Sequence, residues 1–274
     1  MTTPASTADL GLIAGNGRYP FLLAEAARAA GVKRIVAVGF TDETNPDLAK
    51  LVDEMTWLRV GQLGKLCDFF AKQKVHGAIM AGQIAPSNLF NLRPDLKALL
   101  LLAKLKERNA ESIFGAIADE LAKVDVTLLP ATTYLEDSLP EAGHIAGPKL
   151  GRHASLDVEF GFKIAKETSR LDIGQSVVVK KGTVLAVEAF EGTDVTMRRG
   201  GQLGRGGAVL VKVSKPNQDF RFDVPVIGLR TLDTAAEAGI AVIACEAKKT
   251  LLLDKEQVME SARQKKITLV AVSE

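Results

Sequence analysis

LGLIAGNGRYPFLLAEAARAAG, residues 10–31, decides the fold. Residues 10–14 form a short apolar run, the pattern of a buried strand, and GNGRYP after it supplies the glycines of a sharp turn. Pro20 suits the first position of a helix, where a missing N–H is harmless. The residues after it keep a broad apolar face until Gly31, a good residue just past a helix end. The stretch predicts one strand-turn-helix unit.

Outward from it the same grammar repeats. Residues 34–40 (RIVAVGF) read as a second strand, 55–60 as a third, 63–74 as a helix and 77–81 (GAIMA) as a fourth strand. Helices over 95–105 and 110–123 follow, then VTLLP, closed by Pro130. Strands alternating with helices predict a Rossmann-like parallel sheet over residues 1–133. Residues 134–154 collect Pro140, Pro148, Gly143, Gly147 and Gly151 without hydrophobic period, the composition of a linker.

A distinct α/β domain is expected over residues 155–274. It opens on a helix capped by Ser155, with Leu156, Phe160 and Ile164 on one stripe. Residues 175–179 and 183–188 read as a hairpin around Lys181-Gly182, residues 209–213 as a strand, and 231–238 as a helix ended by Gly239. IAVIAC and ITLVAV are strands, and Asp254 with Gln257 resembles a capping box.

Composition excludes several classes. Thirty-five Lys+Arg against 33 Asp+Glu, interspersed along the chain, leave no basic footprint for nucleic acid. Cys67 and Cys245 are far apart with no CxxC, against a disulfide framework or zinc site; a reducing cytoplasm fits. The start lacks a cationic region ahead of an apolar stretch. Residues 96–105 carry Lys97 and Lys104 and fall well short of the ~20 apolar residues that span a bilayer. A soluble protein is expected.

Gly15-Asn16-Gly17 is half of a nucleotide fingerprint: glycines permit close backbone approach, and a helix N-terminus offers N–H groups to phosphate. Pro20 stands where a dinucleotide motif has its third glycine, and the same residues also serve a ligand-free turn. Ala81-Gly82-Gln83 follows a strand end, where doubly wound sheets bind ligands. Glu188, Glu191 and Asp194 crowd the junction of a strand and a helix, with Thr193 as candidate N-cap; these acids can hold a divalent cation, and Arg198 can neutralise phosphate. An Asp194–Arg198 surface pair explains the same residues more simply.

In KPNQDFRFDVP, residues 215–225, Lys215, Asn217, Asp219, Arg221 and Asp223 share one face of an extended strand, and Phe220, Phe222 and Val224 the other. A solvated edge strand also has this pattern. Together with the acidic loop it points to metal-assisted phosphoryl or pyrophosphoryl chemistry. His76, His144 and His153 lack metal spacing, a nucleophilic Cys67 has no support beside the commoner reading of a buried cysteine, and no G-x-S-x-G elbow occurs.

The segments LGLIAGNGRYP, AGQ, LDIGQSVVV, GTVLAVEAFEGTD with MRR, and KPNQDFRFDVPVIGLRT together resemble the LpxI family of UDP-2,3-diacylglucosamine pyrophosphatases, in order and spacing from Leu10 to the C-terminal end. The resemblance implies a Rossmann-like N-terminal domain, a linker and a second α/β domain, with substrate held between the domains. It implies Mg²⁺-dependent hydrolysis of the lipid-linked UDP-sugar to UMP and 2,3-diacylglucosamine 1-phosphate, at the cytoplasmic surface of the inner membrane, with attack at the β-phosphorus. By the same route Asp223 is the essential metal-site aspartate, holding metal or accepting the proton of water, with Glu188 or Asp194 as a further acid.

Gly17, Ala81 and Gly82 are expected on the nucleotide side and Gln175, Thr193 and Asp194 on the other, with Lys215, Arg198 and Arg221 offsetting charge. A homodimer is a family-like expectation. Members commonly continue AGxVxRP; this chain has AGQIAPSNLF, without the arginine, and Gln83 or Asn88 are the substitutes at hand. Phe160, Phe162, Phe190, Phe220 and Phe222 can line an acyl site or fill the core, and no basic amphipathic helix stands out for membrane docking. The rivals are a nucleotide-sugar or NAD-dependent enzyme, with Asp42 reading the ribose, and a non-catalytic lipid or nucleotide carrier.

Overall fold

The computed structural model describes residues 9–84, 94–106 and 110–273. It divides into two units, residues 1–135 with 219–223, and residues 136–218 with 224–274.

In the first unit β1 (Asp9–Ala14), β2 (Arg34–Phe40), β3 (Glu54–Leu58), β4 (Gly77–Ala81) and β5 (Thr127–Leu128) form a parallel sheet in the order β3-β2-β1-β4-β5. Its helices are α1 (Tyr19–Ala29), α2 (Leu63–Gln73), α3 (Leu96–Lys104) and α4 (Ala110–Ala122). The central strands β1 and β2 are buried almost throughout, as their unbroken apolar runs require when both faces are covered. Phe70, Leu121 and Val126 fill one side of the sheet. The direction of strand addition reverses between β1 and β4, and that switch point positions the loops of the half fingerprint.

The second unit holds β6 (Gly143–Ala146), α5 (Arg152–Arg170), β7 (Ser176–Lys180), β8 (Thr183–Val187), α6 (Thr193–Gly204), β9 (Ala208–Lys212), β10 (Val226–Ile227), α7 (Leu229–Glu237), β11 (Ile240–Glu246), β12 (Leu251–Leu252), α8 (Lys255–Gln264) and β13 (Thr268–Val272). Six of the strands make a mixed sheet in the order β6-β13-β11-β9-β7-β8, while β10 and β12 pair separately. Strands β9, β11 and β13 run parallel; β7 runs antiparallel to β9, so Ser176 opposes Lys212.

The sequence expectations depart from this structure in four places. The segment 134–154 contains β6, paired antiparallel with β13; its glycines and prolines hid a short edge strand whose partner lies over a hundred residues on. Helix α5 begins at Arg152 after Gly151, so Ser155 is no cap, and Leu156 points outward. The buried side is Asp157, Val158, Gly161 and Ala165, where small residues let the helix lie close on the sheet, and the Asp157 carboxylate accepts from the N–H groups of Lys181 and Gly182 in the hairpin turn. Residues 215–225 are not a strand: Gln218 N donates to Lys215 O, and Asp223 N to Asp219 O, both turn bonds. Asp254 is the N-cap of α8 but in a left-handed conformation with no side-chain cap.

Helix α6 packs unusually close to its neighbours through Gly200 and Gly201. A methyl at Gly201 would stand 1.9 Å from the Ala238 carbonyl oxygen. Gly201→Ala is therefore expected to destabilise by about 1–3 kcal/mol through overpacking, seen as a fall of several degrees in the thermal midpoint. An unchanged midpoint would mean that α6 and the end of α7 separate easily.

Candidate active site

The second unit carries a pocket of ≈ 280 Å³ lined by Asp172, Ile173, Gly174, Gln175, Glu188, Ala189, Lys212 and Lys215. It lies at the carboxyl end of β9. Because β7 is antiparallel to β9 and to β8, the start of β7 and the end of β8 come to the same edge, and Val213 N donating to Gln175 O and Glu188 N to Ser176 O tie them there.

Within it a chain of polar contacts fixes the acid. Thr193 Oγ1 donates to Glu188 Oε1 at 2.9 Å and accepts from Lys212 Nζ at 3.2 Å. Ser176 Oγ lies 3.3 Å from the same hydroxyl. The other carboxylate oxygen, Glu188 Oε2, is buried and has no hydrogen-bond partner. Lys215 pairs with Asp172, so two ammonium groups and two carboxylates face one small space.

Sequence reasoning placed Gln175, Glu188, Thr193 and Lys215 here, and the structure brings them together. Thr193 acts differently from expectation: Gly192, with φ of 82°, is the N-cap, and the Thr193 hydroxyl serves Glu188 instead. Other expected residues do not join. Asp194 pairs with Arg230 at 2.6 Å, and Arg198 with Glu237 at 3.6 Å; neither lines the pocket, and the alternative Asp194–Arg198 pair gives way to contacts with α7. Arg221 is engaged by Asp219 at 2.6 Å, which holds the Asp219 carboxyl below its usual range. Asp223 groups with the first unit. Lys212 was missed: a lone lysine ending an apolar strand reads as a solvent anchor, and only the pairing of Ser176 with Lys212 reveals its neighbours.

In the first unit Gly15, Gly17, Ala81 and Gly82 stand at the switch point. Gly15 N donates to Ala81 O at 2.8 Å and Asn16 N to Gln83 O at 2.7 Å, closing the two loops on each other. Gly82 has φ of +94°, and a methyl there would meet Asn16 O at 2.6 Å, so the bridge requires glycine. Gly17 is exposed with open space beside it, at the entry to α1, whose N-terminus has no side-chain cap. Asn16 Nδ2 donates to Glu43 Oε2 at 2.6 Å, so Glu43, and not Asp42, turns from the end of β2 towards this loop. Gln83 serves the bridge through its backbone; Asn88 lies outside the described residues.

Two family models match the chain, the LpxI N-terminal domain over residues 9–138 and the LpxI C-terminal domain over residues 141–270. The chain belongs to the LpxI family. It is 32% identical to the UDP-2,3-diacylglucosamine pyrophosphatase LpxI of Caulobacter vibrioides over 264 residues, 92% of this chain and 93% of that one. Among solved structures the biotin carboxylase domain of Hydrogenobacter thermophilus 2-oxoglutarate carboxylase matches at 15% identity, over 64% of this chain and 35% of that one, with a TM-score of 0.27.

In this LpxI family member the cysteines are not reactive centres: both are buried, and burial raises the Cys67 thiol and pushes Cys245 up to about 12. Among the described residues no set of three His, Cys, Asp or Glu side chains forms a cage for a metal. Magnesium needs none, since one or two carboxylates suffice when water and substrate phosphates complete its shell. Glu188, with one oxygen held by Thr193 and the other buried without a partner, fits that role. Glu188→Gln is expected to weaken Mn²⁺ binding by about tenfold or more, read from the free-ion signal in electron paramagnetic resonance, with the thermal midpoint little changed. Equal affinity would remove Glu188 from the ligand set.

Proposed function

We propose that this chain hydrolyses the pyrophosphate bond of UDP-2,3-diacylglucosamine with Mg²⁺, releasing UMP and 2,3-diacylglucosamine 1-phosphate. The observation that carries the reading is the likeness to a pyrophosphatase of that name along nearly the whole of both chains. One water is consumed: its oxygen joins one phosphorus, the bridging P–O bond breaks, and the bridging oxygen leaves with the other phosphate.

The residues divide the work by their chemistry. Lys212 and Lys215 stand as fixed positive charges beside the pocket, where charge developing on phosphoryl oxygens is stabilised without rearrangement. Thr193 orients the Glu188 carboxylate by donating to one of its oxygens. Glu188 is the proposed cation ligand of this pocket, which Gln175 also lines, and Asp223 is proposed to hold metal or to accept the proton of water. Bound magnesium supplies charge neutralisation and polarises a phosphoryl oxygen. At the switch point of the first unit, the open space beside Gly17 and the uncapped N-terminus of α1 leave room for a nucleotide phosphate, while Gly82 keeps the neighbouring loop closed on Asn16.

No helix among the described residues is long and apolar enough to cross a membrane. A diacylated substrate nonetheless resides in a bilayer, so the reaction belongs at a membrane surface, on the cytoplasmic side where uridine nucleotides are made. Reaction in ¹⁸O-labelled water tests the bond cleaved: attack at the β-phosphorus puts the label in the lipid 1-phosphate, and label in UMP would place attack at the α-phosphorus. Tight binding of substrate with no UMP release would mark a carrier.

A further inference from the structure

Helix α3 is apolar on both sides. Ala98 and Leu101 are buried in the core of the first unit, yet Leu96, Leu99 and Leu100 are 72%, 51% and 55% exposed. With exposed Ala103 these three follow the i, i+3, i+4, i+7 spacing that makes one continuous outward stripe. A helix on a water-facing surface normally presents polar residues there. From Leu96 to Lys106 the charges have one sign, between Asp95 before the helix and Glu107 after it. Lys97 and Lys104 lie in the helix and Lys106 just beyond it, and no acid occurs from Leu96 to Lys106. The carboxylate of Asp95, at the N-cap, is taken up by the N–H groups of Gly64 and Ala98, and Glu120 is paired with Lys97 and Lys123. Lys104 and Lys106 are exposed.

We propose that α3 docks the protein on an anionic bilayer surface, its leucines entering the boundary between headgroups and acyl chains while Lys104 and Lys106 meet lipid phosphates. The choice of a bilayer rests on reading the substrate as a membrane lipid, and on two observations of the helix itself. Its charges complement an anionic surface. The three leucines expose on the order of 300 Å², enough to mark a binding surface but far below the ~800 Å² per partner of a standard protein interface. The helix is too short to span and lies in the surface plane instead.

The test is co-sedimentation of the full chain with vesicles of phosphatidylethanolamine and phosphatidylglycerol, against vesicles of phosphatidylcholine. The parent protein is expected to bind the anionic vesicles preferentially. Leu99→Ser with Leu100→Ser should lower that binding by about tenfold or more, and Lys104→Glu with Lys106→Glu should remove the preference for anionic lipid. As a readout independent of those variants, Leu100→Trp in a Trp57→Phe background should be quenched by brominated lipid on vesicle addition. Hydrolysis of detergent-dispersed substrate by the serine variant should stay at the parent rate. Loss of hydrolysis in every form with sedimentation intact would defeat the proposed activity and leave the docking standing. Unchanged sedimentation of both variants, an unquenched introduced tryptophan, or a stable dimer split by the serine changes would overturn the docking.

Discussion

Asp223→Ala is expected to lower UMP release from UDP-2,3-diacylglucosamine by about a thousandfold while the protein stays folded. A carboxylate that holds the cation or takes the proton of water supplies several kcal/mol of charge stabilisation, and each 1.36 kcal/mol is tenfold in rate. The fold should survive because other groups shape the turn. Asp219 accepts from the backbone N–H and the guanidinium of Arg221, Ala131 N donates to Phe220 O at 2.7 Å, and Phe222 stacks on Phe114 with centroids 5.2 Å apart. Chromatographic UMP release, beside a thermal melt, checks both halves. A variant that turns over at the parent rate would remove Asp223 from the chemistry.

The largest expected loss of stability lies at Glu246, the last residue of β11 and only 2% exposed. Its carboxylate accepts from Lys166 Nζ at 3.0 Å, Lys249 Nζ at 2.7 Å, and the Ser214 N–H and hydroxyl at 2.8 and 2.7 Å. Alanine there takes the carboxylate away from the Ser214 N–H and from the largely buried Lys166 ammonium, which keeps the longer bond to Ser214 O at 3.4 Å. Breaking such a buried pair costs about 3–5 kcal/mol, roughly 10 °C in the midpoint of the second unit. Burial opposes ionisation of Glu246, but the bonds from Lys249, Ser214 and Lys166 outweigh it and hold the carboxyl below its ordinary value.

The sign of the pH effect follows. As pH falls the unfolded chain takes up this proton first, so the contribution is complete above the ordinary glutamate value of 4.5 and declines below it, until the folded carboxyl is itself protonated. Melts from neutral to acid pH should therefore show a shallower acid-side loss in Glu246→Ala than in the parent. Parallel curves would mean that other carboxylates govern acid stability.

Most of the first unit was legible because its information is local. β1, the GNG turn and α1 announce themselves by an apolar run, glycines and a helical period; Arg34–Phe40 and Gly77–Ala81 match the expected strands residue for residue. The acidic loop after β8 was legible for the same reason, and Glu188 does line the pocket. What failed depends on distant partners. Lys212 becomes a site residue only because β7 and β8 fold back beside β9, and Asp157, charged yet buried, makes sense only with the turn at Lys181-Gly182 above it. The period of two in residues 215–225 misled because Asp219 and Arg221 close a local turn that uses the same alternation of charge. Phe190, counted with core or acyl-site phenylalanines, is 83% exposed, since the chain turns outward between β8 and α6.

The most direct test incubates the purified protein with UDP-2,3-diacylglucosamine and Mg²⁺ and follows UMP, with and without EDTA. Stoichiometric UMP and lipid 1-phosphate, lost on chelation and restored by added Mg²⁺, is the predicted result. Intact substrate after prolonged incubation with the folded protein, or release that chelation leaves untouched, would contradict it.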